Sequence, residues 1–310
     1  MNAVRGAGIP IRQMSPRTEG GLRPARQPII TNFQSDRNRG NPALIDVLTL
    51  DLAGLLASFT FLIYSSWSDI RSREVSDRVW LVFYPVGFAL AAIRLAVQTS
   101  AWVLILVSLF GTVVISLLLP YLGFWGGADG KGFICLALMN PLIPALDGNL
   151  SHIIDPFFPL VVFSNAYVAS LASIVYPIQR NLRECLRGML FEGFEHESFL
   201  HKLTAFLTGY KVRIDELESK PHLFLLESVH WQESKARRRF ELDPRINFDR
   251  SRELAEIRAA GSGLLSRGVW VSPGLPFLIF VTLGLGISLL FGDIVWSFVS
   301  AVIHAISALV

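Results

Sequence analysis

Two aspartates stand at the edges of long apolar runs, where a carboxylate is expensive to keep. Asp69 closes the first run, in YSSWSDIRSREVSDRVW (Tyr64–Trp80). Asp129 opens the fourth, in GFWGGADGKGF (Gly123–Phe133), a stretch with five glycines. A charged aspartate at the centre of a membrane span costs roughly 2.5–3.5 kcal/mol on insertion scales. Two carboxylates held close cannot both ionise cheaply, so such a pair shares a proton. The ionised member can take a proton from water. The protonated member can polarise a peptide carbonyl and later protonate the leaving amine. That chemistry requires no metal, cofactor or nucleophilic side chain. Gly126, Gly127, Ala128 and Gly130 carry little or no side chain, which predicts room for a substrate backbone beside Asp129.

The elements that must position these acids are apolar and long. Hydrophobic residues make up 52% of the 310, and charged residues only 17%. The charges segregate into residues 1–43, 69–78 and 179–267, as in a polytopic membrane protein. Six apolar runs follow one another: Leu44–Trp67, Val79–Val97, Ala101–Leu122, Phe133–Leu146, Pro156–Tyr176 and Pro273–Phe291. The fourth is short and holds Pro141 and Pro144, which predicts a kinked, tilted or re-entrant segment. Ile294–Val310 adds a further apolar stretch.

The expected fold is an all-α polytopic membrane protein of about six transmembrane helices. A small mixed α/β insert should lie between the fifth and sixth spans. Residues 1–43 hold seven Arg and two acids without apolar periodicity, and read as a disordered tail. Residues 44–178 then form the membrane domain with both aspartates, 179–271 a soluble insert, and 272–310 the last span with its apolar tail. The insert holds 16 Lys/Arg against 14 Asp/Glu, a solvated domain rather than a basic arm. In it His222–Val229 and Ala236–Leu242 read as strands, and Asp249–Gly261 as a helix.

With six spans, loops 69–78, 123–132 and 179–271 share one side. They carry the Lys and Arg, whereas loops 98–100 and 147–155 carry none. The positive-inside rule puts the basic loops, and both aspartates, at the cytoplasmic face of the cell membrane.

Gly126-Gly127-Ala128-Asp129 resembles the glycine–any–glycine-or-hydrophobic–aspartate (GxGD) motif of membrane aspartyl proteases. Asp69 followed by Arg71, Arg73, Val75 and Asp77 is similar to the first-aspartate segment of the type IV prepilin peptidases. Gly209-Tyr210-Lys211-Val212, the nearby LFLLES, VWVSPGLPFL (Val269–Leu278) and Gly292-Asp293 resemble the archaeal branch, the preflagellin (prearchaellin) peptidases. The resemblance spans about residues 50–295. It implies an endopeptidase with Asp69 and Asp129 as catalytic pair, cutting the short basic leader from archaellin or type IV pilin-like precursors. Ala128 departs from the strict motif, and the paired-CxxC domain of the bacterial enzymes is missing, so N-methylation is not implied.

Other readings of the same residues stay open. Asp69 alone could be a helix-end residue bonded to Arg71 or Arg73. The two acids could serve a proton-coupled transporter or channel, or an inactive pilus-assembly scaffold. Asp-Gly-Lys lacks the further oxygens of a calcium loop, and no Gly-Lys-Ser/Thr makes a P-loop. Lys131 is placed to meet lipid headgroups or to stabilise Asp129. Glu74 and Asp77 could receive a basic leader, or be solvated or Arg-paired. Arg94 is expected to snorkel to the outer interface, and Asp46 and Asp51 to cap a helix or meet water. Arg237-Arg238-Arg239 could touch anionic lipid, while the balancing acids argue against nucleic acid.

Overall fold

The computed structural model describes residues 42–122, 126–144, 157–188, 190–220, 222–232, 235–241, 250–259 and 268–308. The tail expected over 1–43 lies almost wholly outside them. Four helical runs are long and apolar enough to cross a membrane. They are Val47–Ser72 within helix α1 (Pro42–Ser72), α2 (Asp77–Val97), α3 (Trp102–Tyr121) and the run Phe158–Leu186. That last run is built from α5 (Phe158–Ser170), a 3₁₀ turn (Leu171–Ile174) and α6 (Val175–Leu186). The closing pair, Phe277–Phe291 and Ile294–Ser307, is bent by 52° and makes a fifth span if taken as one. The chain is a membrane protein. Leu56, Leu81 and Phe110, each more than 70% exposed, turn an apolar surface outward from these helices.

The fourth apolar run departs from expectation. Its helix, α4 (Gly127–Met139), starts inside the glycine stretch and stops at Asn140, just before Pro141. Its 13 residues cover about 20 Å, against about 30 Å of hydrocarbon, so it does not count as a span. Glycines let it pack tightly: a Cβ on Gly87 of α2 would lie 2.9 Å from the Leu138 side chain of α4. Phe133, Leu136 and Met139 join Phe61, Leu62, Trp80, Phe158 and Leu278 in one buried apolar core.

Beyond α6 the chain builds α7 (Phe199–Thr208), β1 (Tyr210–Val212), α8 (Ile214–Ser219), β2 (Leu223–Leu225), β3 (Glu227–Gln232), β4 (Lys235–Phe240), α9 (Arg250–Ala259) and β5 (Val269–Pro273). The strand expected over His222–Val229 is in fact two, parted at Leu226. β2 joins an antiparallel sheet in the order β1-β5-β2, and β3 pairs with β4 as a hairpin. Leu226 N–H donates to Trp270 of β5 and its carbonyl accepts from Glu241, so this one residue serves both sheets. The helix expected over Asp249–Gly261 is α9, and those two end residues lie outside the described ones.

The last two helices are α10 (Phe277–Phe291) and α11 (Ile294–Ser307). Gly284 of α10 rides on α5, where a Cβ would lie 2.6 Å from the Val162 carbonyl oxygen. Buried Asn165 holds the bend between them. It donates to Ser288 Oγ and to the Gly292 carbonyl, both at 2.8 Å, and accepts from Ile294 N–H at 3.2 Å. Gly292 itself adopts φ +73°, a value that a β-carbon resists.

Two sequence expectations fail here for one reason. Arg94 does not snorkel, and Asp51 neither caps nor meets water. They form an ion pair, with side chains 1% and 0% exposed. Each acid or base, read alone, looked for solvent, yet the partner stood on the neighbouring helix. Burial of both is tolerable only because they are paired.

Candidate active site

Asp69 lies four residues from the point where α1 breaks. Arg73 breaks it, with φ +57°, a left-handed conformation that is rare outside glycine. Its N–H still bonds the Asp69 carbonyl at 3.0 Å. The hydroxyls of Ser68 and Ser72 both donate to the Glu74 carbonyl, at 2.8 and 3.0 Å, and turn the chain toward α2. Arg73 Nη1 then donates to the Gly274 carbonyl at 2.8 Å, between β5 and α10. The Asp69 side chain is half-buried, and its carboxylate makes no hydrogen bond or ion pair with the described residues.

Asp129 occupies the third position of α4, a favourable place for an acid because unpaired N–H groups gather at a helix start. Its Oδ2 accepts from the Gly126 N–H at 3.1 Å, the half of a capping box that glycine permits. The carboxylates of Asp69 and Asp129, sixty residues apart in sequence, come close enough to act on each other through their charge. The Arg73 guanidinium acts on Asp69 with the opposite sign.

The glycines around Asp129 divide by neighbour. A Cβ on Gly130 would sit 2.6 Å from the Ser116 carbonyl oxygen of α3. One on Gly132 would sit 2.9 Å from the Leu278 side chain. Among the described residues, nothing lies within 4 Å of a Cβ on Gly127, and at Gly126 only the Asp129 carboxylate does, at 3.2 Å. The room expected beside Asp129 is therefore at Gly126 and Gly127. Gly130 is consumed by helix packing. Ala128 is partly buried and leans on the apolar core.

Lys131 does not point at Asp129. Its Nζ donates to Asp77 Oδ1 at 2.6 Å, and the pair is 45% and 81% exposed. The Lys131 carbonyl accepts from Tyr84 at 3.2 Å, a contact that no sequence signal announced. Glu74 is exposed. One short segment thus places Asp69, Glu74 and Asp77 on the same rim, with Lys131 reaching across from α4.

Known proteins share this arrangement of sequence. The profile of the "Type IV leader peptidase family" matches residues 56–177, which include both aspartates. The profile "Archaeal Peptidase A24 C-terminus Type II" matches residues 201–294. The chain is thus similar to the type IV leader peptidase family over residues 56–177. Curated relatives include the preflagellin peptidase of Methanococcus voltae, 24% identical over 77% of this chain and 94% of the relative. The preflagellin peptidase of Methanocaldococcus jannaschii is 26% identical over 75% and 91%. That of Methanococcus maripaludis is 23% identical over 76% and 94%.

Proposed function

We propose that this leader peptidase is an aspartyl endopeptidase that removes the short basic leader of archaellin or type IV pilin-like precursors at the cytoplasmic membrane face. What supports the reading is that two carboxylates from distant parts of the chain lie within reach of each other's charge, beside the open backbone of Gly126 and Gly127. The relatives' names support leader processing as the activity. The side assignment rests on the basic loops and takes α4, though too short to count as a span by its length, as the fourth crossing and α10 as the last.

In this mechanism one aspartate is protonated and the other ionised. The ionised carboxylate takes a proton from water as its oxygen attacks the scissile carbonyl. The protonated partner donates to the carbonyl oxygen, and the tetrahedral intermediate collapses as the leaving amine takes a proton. Gly127 supplies the space for the extended substrate strand. Glu74 and Asp77 attract the basic leader, and Asp77 exchanges Lys131 for a leader cation. The soluble segment 179–271 acts as a separate cytoplasmic module.

Purified protein in detergent with a synthetic precursor tests this. Asp69→Asn and Asp129→Asn should each abolish cleavage while leaving the elution profile unchanged. Full cleavage by either variant overturns the pair. Charge reversal at Glu74 and Asp77 should slow cleavage of basic leaders more than of neutral ones; an equal loss on both removes the rim from leader binding.

A further inference from the structure

The soluble segment holds a second concentration of reactive side chains. A cavity of about 490 Å³ opens between the chain leading into α7 and the β3–β4 hairpin. Strand alternation decides which arginines face it. Arg238 turns inward, buried, to grip Glu227 at 2.6 Å. Arg237 and Arg239 therefore turn outward into the cavity, and His230 stands opposite Arg237 in the register. The other wall brings His196, Glu197 and His201.

Glu197 is the decisive group. Its side chain is only 4% exposed. Oε2 pairs with His201 Nδ1 at 2.8 Å, while Oε1 has no hydrogen-bond partner. His196 Nε2 and Arg239 Nε both stop 3.7 Å from that oxygen. Two guanidiniums and three imidazoles thus face one carboxylate, and one buried acceptor lacks a donor. The charge surplus calls for an anion, and the orphan oxygen for a hydroxyl. Among the described residues, no three His, Cys, Asp or Glu side chains converge to hold a metal.

The surroundings say where the anion comes from. α7, which follows the His196–Ser198 wall, exposes Phe199 (76%), Leu200 (70%) and Leu203 (40%). Its far end is fastened to α6, because buried Asn181 donates to the carbonyls of Phe206 and Gly209 at 2.8 and 2.6 Å. α6 closes the membrane-capable run Phe158–Leu186, so α7 is moored beside the end of a span. Bare apolar side chains at a span end, next to a cationic cavity, match an acyl-chain region below a headgroup.

We propose that this cavity binds the headgroup of an anionic phospholipid. The phosphate lies on Arg237 and Arg239, a headgroup hydroxyl donates to Glu197 Oε1, and Phe199, Leu200 and Leu203 enter the bilayer edge. The full chain in detergent, offered equimolar phosphatidylglycerol and phosphatidylcholine, tests it by native mass spectrometry of retained lipid. Retention of phosphatidylglycerol should exceed that of phosphatidylcholine by roughly tenfold. Arg237→Gln/Arg239→Gln should erase the preference, and Arg237→Lys/Arg239→Lys should restore most of it. Phosphatidylethanol, a phosphodiester without free hydroxyls, should be retained less than phosphatidylglycerol. Equal retention of phosphatidylcholine by the unaltered chain, or a preference that survives loss of both arginines, overturns the site. So does displacement of the lipid by millimolar inorganic phosphate together with unchanged retention in Phe199→Ser/Leu203→Ser, which would make free phosphate the ligand. Equal retention of phosphatidylethanol removes the hydroxyl contact with Glu197.

Discussion

Two of the aspartates on helix α1, Asp51 and Asp69, lie 18 residues apart in opposite environments. Asp51 is sealed in the core and neutralised by Arg94. Asp69, near the other end, is half-buried and within reach of the charge of a second acid, Asp129. The first arrangement holds helices together. The second sets two carboxylates within reach of each other's charge, with Arg73 beside one of them and the Gly126 N–H on the other. A carboxylate in a membrane protein therefore has to be read with its neighbour before its role is assigned.

Breaking the comparison at the reactive end should give the largest effect. Asp69→Asn or Asp129→Asn should slow precursor cleavage by about 10³-fold or more, while the melting temperature stays level or rises. The paired end should behave in reverse. Asp51→Leu or Arg94→Met alone strands a buried charge and should destabilise by about 3–5 kcal/mol, whereas the double variant should recover most of that. Thermal unfolding in detergent checks it, and equal losses in single and double variants would show that the pair is not the cause.

The glycines sharpen the same contrast between structure and chemistry. Gly130→Ala forces a β-carbon against the Ser116 carbonyl and should cost about 1–3 kcal/mol. Gly127→Ala meets open space and should leave melting within about 0.5 kcal/mol while lowering cleavage of full-length precursor. Lys131→Met comes next, since its pair with Asp77 is exposed and contributes at most about 1 kcal/mol. Its effect should show in the KM for basic leaders rather than in stability.

The smallest effect belongs to Glu197 in the soluble segment. Burial pushes its carboxyl up, but the hydrogen bond with His201, the nearby Phe240 N–H and both nearby imidazoles outweigh this and hold it below its ordinary value of 4.5. A group depressed in the folded state adds stability above its unfolded value and loses it as pH falls through the folded one. Melting temperature should thus fall on acidification below about pH 4.5, and less steeply in Glu197→Gln.

Much of this was legible in the residues. Unbroken apolar runs announced the membrane helices, and Asp69 with Asp129 stood out by position and by the glycines near one of them. What could not be read was partnership across helices. Arg94 looked like a snorkelling residue because Asp51 precedes it by 43 positions on another helix. Gly127 and Gly130 look alike in sequence, and only Ser116 on α3 tells them apart. The strand over His222–Val229 was read as one because its break at Leu226 is set by two different sheets, not by a local Gly or Pro. Gly284 gave no warning either, since its partner on α5 is a backbone.

The shortness of α4 bears on a reagent that peptide hydrolysis consumes. A helix of about 20 Å set among spans that cross about 30 Å leaves a shortfall of about 10 Å in the apolar slab. At its start the backbone of Gly126 and Gly127 is exposed, and polar groups at membrane depth demand partners. Water can supply them, so on the proposed reading the length of α4 bears on how the hydrolytic water reaches Asp129.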